Sequence, residues 1–232
     1  MSKILLLEDD LSLINGLSFA FKKQGFELEI ARTLQEANEL WAKDCYDLLV
    51  LDVALPDGSG FDFCQKVRQT SKVPIIFLTA SDEEISIIMG LDIGGDDYIT
   101  KPFLPLELIA RIKAQLRRYK KYNVNAAPAA EKVLRHAGLV MNLKTYECWL
   151  DEKSLALTPT EFTILKVLLE HKGSVVRSEE LFHEIWQEEY YSKSNNTITV
   201  HIRHLREKMK DTGESPRYIK TVWGIGYKIG EI

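Results

Sequence analysis

The chain has 232 residues, of which 45% are hydrophobic and 28% charged, and its formal net charge is −4. This length is sufficient for two modest domains. No apolar run approaches the roughly 20 residues that a membrane-spanning helix needs, and the N-terminus becomes acidic too early for a signal peptide, so we expect a cytoplasmic protein without membrane attachment. The three cysteines are scattered and lack metal-ligand spacing, which indicates reduced thiols.

The first half of the chain alternates short apolar segments with amphipathic helices. The predicted strands are KILLL, ELEI, DLLVL, VPIIFL and DYIT. A helix is predicted after each strand. In chain order, these helices begin near Leu11, cover Thr33 to Ala42, begin near Gly58, begin near Glu83, and cover Leu104 to Tyr119. Five strand–helix units of this length predict a parallel sheet covered by helices on both faces. Because right-handed crossovers leave few topologies, we predict a flavodoxin-like doubly wound α/β domain over residues 1–119.

A small, polar segment with one proline follows, and we interpret residues 120–130 as a linker. Residues 131–232 then predict a smaller α+β domain, in which the pattern Thr158-Pro159 with Glu161 indicates a capping box at the start of a helix. The other predicted elements are a small antiparallel sheet with a turn at Asp151–Lys153, helices over Ser178–Trp186 and Asn195–Met209, and a hairpin with its turn near Trp223-Gly224.

The two halves differ in charge. Residues 1–120 hold 14 basic and 19 acidic side chains, a balance of −5, whereas residues 192–230 hold eight basic side chains against three acidic ones. The negative total therefore conceals a local basic surface in the second half, of the kind that binds nucleic acid.

Polar and charged side chains follow four of the predicted strands at the point where each strand ends. They are Glu8, Asp9 and Asp10 after the first strand, Asp52 after the third, Thr79 after the fourth and Lys101 after the fifth. Because sites in doubly wound sheets form outside the carboxyl ends of the strands, we expect one cluster. Three or more ionised carboxylates near one point need a counter-charge, and Mg²⁺ is the hard cation that such ligands favour. With Lys101 and Thr79 nearby, the cluster predicts transfer of a phosphoryl group onto Asp52.

Other interpretations compete for the same residues. An acid that ends a strand commonly caps the next helix, and Lys101 alone would be an ordinary solvated residue. Haloacid-dehalogenase-type phosphatases also combine an aspartate with Mg²⁺, but they place a second acid two residues after the nucleophile, where this chain has Ala54. The joint placement after four different strands favours the phosphoacceptor.

The segments ILLLEDD, LLVLDVALPDGSG, LTA and DDYITKPF resemble the receiver domain of two-component response regulators over about residues 3–118. The resemblance implies that Asp52 accepts a phosphoryl group from a partner histidine kinase. It implies that Thr79 and Lys101 contact the phosphoryl oxygens, that Tyr98 turns inward on activation, and that the bond between Lys101 and Pro102 is cis. The implied Mg²⁺ ligands are Glu8, Asp9, Asp52 and the backbone carbonyl of Ala54.

The last helix of the first half, LPLELIARIKAQLRRYKK, is similar to the helix through which regulators of the OmpR/PhoB type form homodimers. The implied dimer-face residues are Asp96, Asp97, Glu107 and Arg111. Asp97 would meet Arg111 across the dimer. Ile87 departs from the family, which often has a lysine or arginine there opposite Glu107.

The helix over Asn195–Met209 has one apolar stripe, formed at helical spacing by Ile198, Ile202, Leu205 and Met209, and this stripe should face the core. The opposite face carries Asn196, Val200 and Arg203, flanked by Thr199 and His204. An amide, a small apolar group and a guanidinium are the mixture that reads base edges in a major groove, and Arg206 with Lys210 would suit phosphates. A solvated helix face would look similar.

The segments LTPTEFTILKVLL, TVHIRHLREKM and YIKTVWGIGYKI resemble the winged-helix effector domain of OmpR/PhoB regulators over about residues 131–230. The resemblance implies that Asn195–Met209 is the recognition helix and that the hairpin around Trp223–Tyr227 is the wing. Trp223 replaces an arginine that enters the minor groove in several relatives and cannot repeat that contact, which leaves Lys220 and Thr221 to hold phosphate. The implied DNA-binding residues are Asn196, Thr197, Thr199, Val200, Arg203, His204, Arg206, Lys220, Thr221 and Trp223.

The segment IWQEEYYSKSN resembles the loop that is thought to contact RNA polymerase in OmpR/PhoB regulators. The alternative is that its acidic pair Glu188-Glu189 lies in an ordinary solvated turn. LFHEIW, SKSNNTITVHIRHLREKM and IKTVWGIGYKI resemble VanR-type regulators of glycopeptide-resistance operons. We therefore interpret the chain as a transcription factor, not an enzyme, that dimerises on phosphorylation and binds repeated half-sites in double-stranded DNA. The alternatives are a phosphorylation-independent DNA-binding regulator, an aspartate-based phosphatase and a protein-docking adaptor.

Overall fold

The computed structural model describes residues 1–80, 93–123, 133–186, 194–212 and 216–230. The chain divides into two units, residues 1–119 and 120–232. Some sequence predictions lie outside the described residues, namely the helix from near Glu83, the departure at Ile87, linker residues 124–130, the acidic pair Glu188-Glu189 and the side chain of Asn196.

The first unit contains, in chain order, β1 (Ser2–Leu7), α1 (Leu11–Lys23), β2 (Phe26–Ala31), α2 (Leu34–Lys43), β3 (Leu48–Asp52), β4 (Ala54–Leu55), β5 (Gly58–Ser59), α3 (Gly60–Arg68), β6 (Ile75–Thr79), β7 (Asp97–Thr100) and α4 (Pro105–Asn123). The helix α4 continues past Tyr119 through Asn123. The first four residues of the predicted linker are therefore helical, so α4 ends four residues beyond its predicted end at Tyr119.

Five strands of the first unit form a parallel sheet in the order β2-β1-β3-β6-β7. Successive side chains of a strand point to opposite faces, so a strand that is buried on both faces must be apolar throughout. In β1, Ile4 and Leu6 enter one core cluster while Leu5 and Leu7 enter the other. The predicted doubly wound α/β fold is confirmed.

Short polar side chains cap the first three helices of this unit. Asp10 caps α1 by accepting from the backbone of Ser12 at 2.7 Å and of Leu13 at 3.3 Å. Thr33 and Ser59 cap α2 and α3 in the same way. These bonds satisfy backbone N–H groups that have no partner within the helix. Asp10 therefore has the capping role that competes with a chemical one, and it leaves Glu8 and Asp9 for the cluster.

The second unit contains β8 (Val133–His136), β9 (Leu139–Asn142), β10 (Glu147–Leu150), β11 (Lys153–Ser154), α5 (Pro159–Glu170), β12 (Val176–Arg177), α6 (Ser178–Trp186), α7 (Ser194–Lys208), β13 (Ile219–Val222) and β14 (Gly226–Ile229). One antiparallel sheet has the order β11-β10-β9-β8 and the other β12-β14-β13. The three helices pack around one apolar core. The smaller α+β domain is confirmed.

The predicted capping box at the start of α5 is present. Thr158 accepts from the backbone of Glu161, and the Glu161 carboxylate accepts from the backbone of Thr158 at 2.7 Å. The terminal hairpin of β13 and β14 turns at Trp223–Ile225, and we call this hairpin the wing. Among the described helices, none is long and apolar enough to span a membrane.

Candidate functional site

The carboxyl ends of β1 and β3, which are neighbours in the sheet, bring three acidic side chains together. One carboxylate oxygen each of Glu8, Asp9 and Asp52 lies within 4.8 Å of the others. Glu8 is fully buried and Asp52 is only 5% exposed, so bulk water screens neither charge effectively. Buried carboxylates at this spacing repel each other unless a cation lies close by.

Lys101, just beyond β7, supplies one such cation. Its ammonium nitrogen lies 2.7 Å from Glu8 Oε2 and 2.8 Å from Asp52 Oδ2, and its backbone N–H donates to the Thr79 carbonyl at 2.7 Å. The peptide bond that precedes Pro102 is cis, as the receiver resemblance implies. Residues from three strand ends thus meet at one edge of the sheet, as the sequence predicts.

The pKa values in this pocket depend on the ion pairs that Lys101 forms with Glu8 and Asp52. Burial raises the pKa of Glu8, although the hydrogen bond from Lys101 opposes the rise, and the Asp52 charge adds to it. Burial lowers the pKa of Lys101, but its hydrogen bonds to Asp52 and Glu8 outweigh this effect, so its pKa is raised. Lys101 is therefore charged at neutral pH and keeps a positive charge beside Asp52.

The donor set suits a hard divalent cation, because all three acids present oxygen atoms and two of them are buried. Asp52 Oδ1 accepts from the backbone N–H of Ala54 at 3.3 Å, so the backbone of Ala54 also lies beside the cluster. These are the four residues that the resemblance implies for Mg²⁺.

Gly60 fixes the backbone behind Asp52. A Cβ atom at position 60 would lie 2.0 Å from the Asp52 carbonyl oxygen, and the Gly60 N–H donates to the Val53 carbonyl at 3.1 Å. No other residue type allows so close an approach between backbones. The start of α3 therefore supports the strand end that carries Asp52.

Two further predicted residues lie on the neighbouring strands. Thr79 ends β6 and is 5% exposed, and it comes one residue after Leu78, the partner of Asp52 in register. Tyr98 lies in β7 opposite Phe77 and is partly buried against the core cluster on that face. Both side chains lie on elements that reach the pocket edge, while the inward turn of Tyr98 stays a prediction.

The residues predicted for a dimer face form pairs within one chain. Arg111 Nη1 lies 3.2 Å from each carboxylate oxygen of Asp97, and Arg111 Nη2 lies 3.2 Å from Glu107 Oε1. Asp97 is 1% exposed, so this is a buried pair and not the surface pair that its sequence position suggests. A pairing of Asp97 with Arg111 across a dimer stays a prediction.

Asp96 is not the surface residue that its sequence position suggests, and its place in a dimer face stays a prediction. Its side chain is fully buried, lies 2.8 Å from Arg68 Nη2 and accepts from the backbone of Ile75 at 3.0 Å. Arg68 also donates to the carbonyls of Val73 at 2.6 Å and Gly94 at 2.7 Å. Asp96 holds the C-terminal end of α3 to the start of β7, so its role in the described structure is internal.

The predicted outer face of the recognition helix, α7, also needs correction. Thr197, Val200 and His204 are only 3%, 4% and 8% exposed, whereas Thr199 and Arg203 are exposed as predicted. The physical reason is that α7 packs against both α5 and α6, so its buried surface is wider than the one apolar stripe of the sequence. The side chain of Asn196 lies outside the described residues.

The rest of the predicted DNA-binding set lies on or beside the wing. Trp223 is 89% exposed at its turn, and Lys220 is exposed on β13. Arg206 donates to the Ile219 carbonyl and to Thr221 Oγ1, so both of these predicted phosphate-binding side chains are engaged inside the domain. A groove of about 640 Å³ runs between α7, the start of α6 and the wing.

Sequence analysis did not identify several residues that hold α7 and the wing in place. Glu161 accepts from Lys208 at 2.5 Å and lies 3.8 Å from His204 Nδ1, which anchors α7 to the start of α5. Asp211 accepts from three backbone N–H groups at the start of the wing. The capping-box pattern identified Glu161 as a cap, but no local pattern indicates its long-range partners.

Two family models match the chain. Residues 4–113 match the response regulator receiver domain, and residues 152–229 match the transcriptional regulatory protein, C-terminal family. The chain is 56% identical to the regulatory protein VanR of Enterococcus faecium and 42% identical to the regulatory protein VanRc of Enterococcus gallinarum, each over 227 residues. Both comparisons cover 98% of this chain and 98% of the relative.

Solved structures agree with these matches. DrrB of Thermotoga maritima, an OmpR/PhoB homologue, is 31% identical over 100% of both chains with a TM-score of 0.52. A point mutant of RitR is 28% identical over 99% of both chains with a TM-score of 0.72.

A receiver domain with an acidic pocket, followed by a winged-helix domain, defines a DNA-binding transcription regulator of the response-regulator class. The chain belongs to the two-component response regulators of the OmpR/PhoB type, and VanR-type regulators are its close homologues. Phosphorylation and dimerisation are typical of this family, and its receiver typically binds Mg²⁺.

Proposed function

We propose that Asp52 is the phosphoacceptor and that its modification controls the binding of the second domain to promoter DNA. The observation that carries the proposal is the position of Lys101, whose ammonium group bridges Glu8 and Asp52 at 2.7 and 2.8 Å. A carboxylate held beside a fixed cation can accept a phosphoryl group because the developing negative charge is stabilised where it forms.

In the proposed transfer, an Asp52 carboxylate oxygen attacks the phosphorus atom of a kinase phosphohistidine. The new P–O bond forms as the P–N bond breaks, and the histidine leaves with the electron pair of that bond. Asp52 Oδ1 accepts from the Ala54 backbone and Oδ2 from Lys101, so the carboxylate is already oriented. Thr79, at the adjacent strand end, would donate its hydroxyl to a phosphoryl oxygen.

Glu8, Asp9, Asp52 and the Ala54 carbonyl would hold Mg²⁺ in this proposal. When bound, the ion supplies positive charge that offsets the carboxylates and the transferred phosphoryl oxygens. The three acids within 4.8 Å of one another support this assignment.

The proposed output is pairing of two receivers through the face of Asp97, Glu107 and Arg111, with Tyr98 turning inward. Two linked winged helices bind paired half-sites more tightly than one, because the second contact becomes intramolecular. Contact with RNA polymerase through residues 185–195 belongs to the same proposal. The 56% identity to VanR supports a promoter of a glycopeptide-resistance operon as the target.

The test is phosphorylation of the full chain by acetyl phosphate and MgCl₂, measured by intact-protein mass spectrometry. Asp52→Asn should take up no phosphate, whereas Asp62→Asn, a matched change of an exposed acid on α3, should behave like the unmodified chain. Incorporation at equal levels in Asp52→Asn would refute the site. Equal affinity for promoter DNA with and without acetyl phosphate would establish the phosphorylation-independent alternative.

A further inference from the structure

The strand β13 lies at the edge of the three-stranded sheet, and its first residue is bound by the end of α7. An edge strand exposes one row of backbone N–H and C=O groups that have no strand partner. Here the Ile219 N–H donates to Asp211 Oδ2 at 3.1 Å, and the Ile219 carbonyl accepts from Arg206 Nη2 at 2.7 Å and from Nε at 3.1 Å. Both backbone groups of Ile219 are thus satisfied by side chains, one from the end of the recognition helix and one from the turn that follows it.

The same two residues are also bonded to each other. The Asp211 N–H donates to the Arg206 carbonyl at 2.7 Å, with Lys210 between them in the left-handed region at φ 55°, the geometry of a helix C-terminal cap. Arg206, Asp211 and Ile219 therefore form a closed ring of hydrogen bonds, which we call the helix–wing ring. Asp211 is 6% exposed and also accepts from Arg217 N at 2.6 Å.

Two further bonds join the recognition helix to the wing. Arg206 Nη2 donates to Thr221 Oγ1 at 2.8 Å, and the hydroxyls of Thr199 and Tyr227 lie 3.1 Å apart. The tip residue Trp223, two positions beyond Thr221, is 89% exposed. The ring thus holds the base of a hairpin whose tip projects away from the domain.

We infer that Arg206 and Asp211 are positioning residues for DNA binding, because the helix–wing ring fixes the angle between α7 and the wing. This inference rests on the proposed DNA-binding function and deepens it. The guanidinium of Arg206 acts inside the domain and not as a phosphate ligand, which replaces the expectation from the sequence. With the ring closed, Trp223 and Lys220 reach DNA in the orientation that α7 requires.

The energetic reason is pre-organisation. A wing that moves freely must lose its conformational freedom when it binds, and that loss weakens the complex. A wing that the ring already holds loses little. Breaking the ring should therefore weaken DNA binding even though no contact with DNA is removed.

The test uses the full chain, a DNA duplex selected by the unmodified protein from a random-sequence library, and a series of salt concentrations. In Arg206→Gln the amide nitrogen takes the position of Arg206 Nε and can donate to the Ile219 carbonyl without carrying charge. Arg206→Met places a side chain of about the same length as glutamine there, but without a hydrogen-bond donor. We expect Arg206→Gln to bind within about threefold of the unmodified chain with an unchanged salt slope, and Arg206→Met to bind about tenfold more weakly or worse.

A phosphate ligand at this position would give a different pattern. The Gln and Met variants would be equally weak, each would lower the salt slope by about one, and Arg206→Lys would keep most of the affinity. That pattern would overturn the inference. Because the Gln variant keeps a donor, its salt slope decides the outcome even if the Met variant proves to be unfolded by circular dichroism.

Asp211→Asn provides an independent test, because the charge effect and the positioning effect change DNA affinity in opposite directions. If charge alone mattered, removing a carboxylate near DNA would strengthen binding. If the ring positions the wing, the asparagine replaces an accepting oxygen with a donor, opposes the backbone N–H groups of the wing, and weakens binding. Binding that is stronger than that of the unmodified chain would contradict the inference.

Two measurements without DNA separate this inference from the proposed function. Amide hydrogen exchange at Ile219 should be faster in Arg206→Met than in Arg206→Gln, and the ¹⁹F resonance of 5-fluorotryptophan at Trp223 should narrow as the wing becomes mobile. If the unmodified chain selects no DNA sequence, the proposed function fails while these results still support the ring. Unchanged exchange in both variants would overturn the ring itself.

Discussion

Removal of the Lys101 ammonium group should destabilise the receiver domain at neutral pH. In Lys101→Met the two carboxylates that Lys101 now contacts at 2.7 and 2.8 Å, those of Glu8 and Asp52, lose their shared counter-charge. Glu8 is fully buried and Asp52 nearly so, so water cannot replace the lost interaction. The methionine keeps the length of the apolar stem, and the substitution therefore isolates the charge.

The magnitude follows from the burial of each partner. Removing one member of a buried ion pair costs about 3–5 kcal/mol, because an uncompensated charge is left behind. The side chain of Lys101 is 22% exposed, so partial solvation places the expected loss near the lower end of this range. The double variant Lys101→Met/Glu8→Gln should recover part of the loss, since it removes one of the two repelling charges.

The assay is hydrogen–deuterium exchange of the peptide that contains β3, measured in the full chain with EDTA present so that no metal replaces the lost charge. Lys113→Met, a change of an exposed lysine on α4, is the matched control and should leave the exchange unchanged. A loss below about 1 kcal/mol in Lys101→Met, or a double variant less stable than the single one, would refute the electrostatic reasoning.

Three further predictions follow from other described contacts. Arg203→Ala should weaken binding to promoter DNA by about 1–3 kcal/mol if this exposed side chain reads a base, and unaltered footprints would place readout elsewhere. Arg68→Met should destabilise the receiver by about 3–5 kcal/mol, measured by the same exchange assay, because Asp96 stays buried without its cation. Burial, together with the charges of Lys172 and Arg217, lowers the pKa of His136. The neutral imidazole therefore stabilises the fold above pH 6.5, and this stabilisation is lost as the pH falls below that value. In thermal unfolding of the second domain, His136→Gln should make the stability less dependent on pH.

The receiver pocket could be predicted because its geometry follows from strand topology. Once KILLL and DLLVL are assigned as parallel neighbours, Glu8 and Asp52 must emerge at the same edge, and no tertiary detail is needed. The same reasoning placed Lys101 at that edge. The contacts that Lys101 makes with both acids could then be expected from charge alone.

Asp96 shows where this reasoning ends. Asp96 and Asp97 are adjacent in sequence and identical in chemistry, and nothing local distinguishes them. Their environments differ because Arg68, at the end of α3, reaches Asp96 from 28 residues away, whereas Arg111 on α4 reaches Asp97. Which acid pairs with which cation depends on helix packing, which one sequence does not determine.

The recognition helix shows a second kind of limit. The stripe of Ile198, Ile202, Leu205 and Met209 was predicted and is buried in the core. Helical spacing identifies a buried face only from its apolar residues, however, and polar residues of the same helix can also be buried. His201 is 1% exposed with its ring 6.4 Å from that of Trp186, so a second side of α7 is also covered.

The basic surface of the second domain is consequently smaller than its sequence suggests. Of the eight basic side chains in residues 192–230, Arg206 is bound to the wing and Lys208 to Glu161 at 2.5 Å and to the Ala156 carbonyl at 2.8 Å. Each internal pairing removes one cation that could displace a counterion from a phosphate, and so lowers the salt slope by about one. The affinity for DNA therefore depends less on the number of charges than on how rigidly α7 and the wing present the charges that remain exposed.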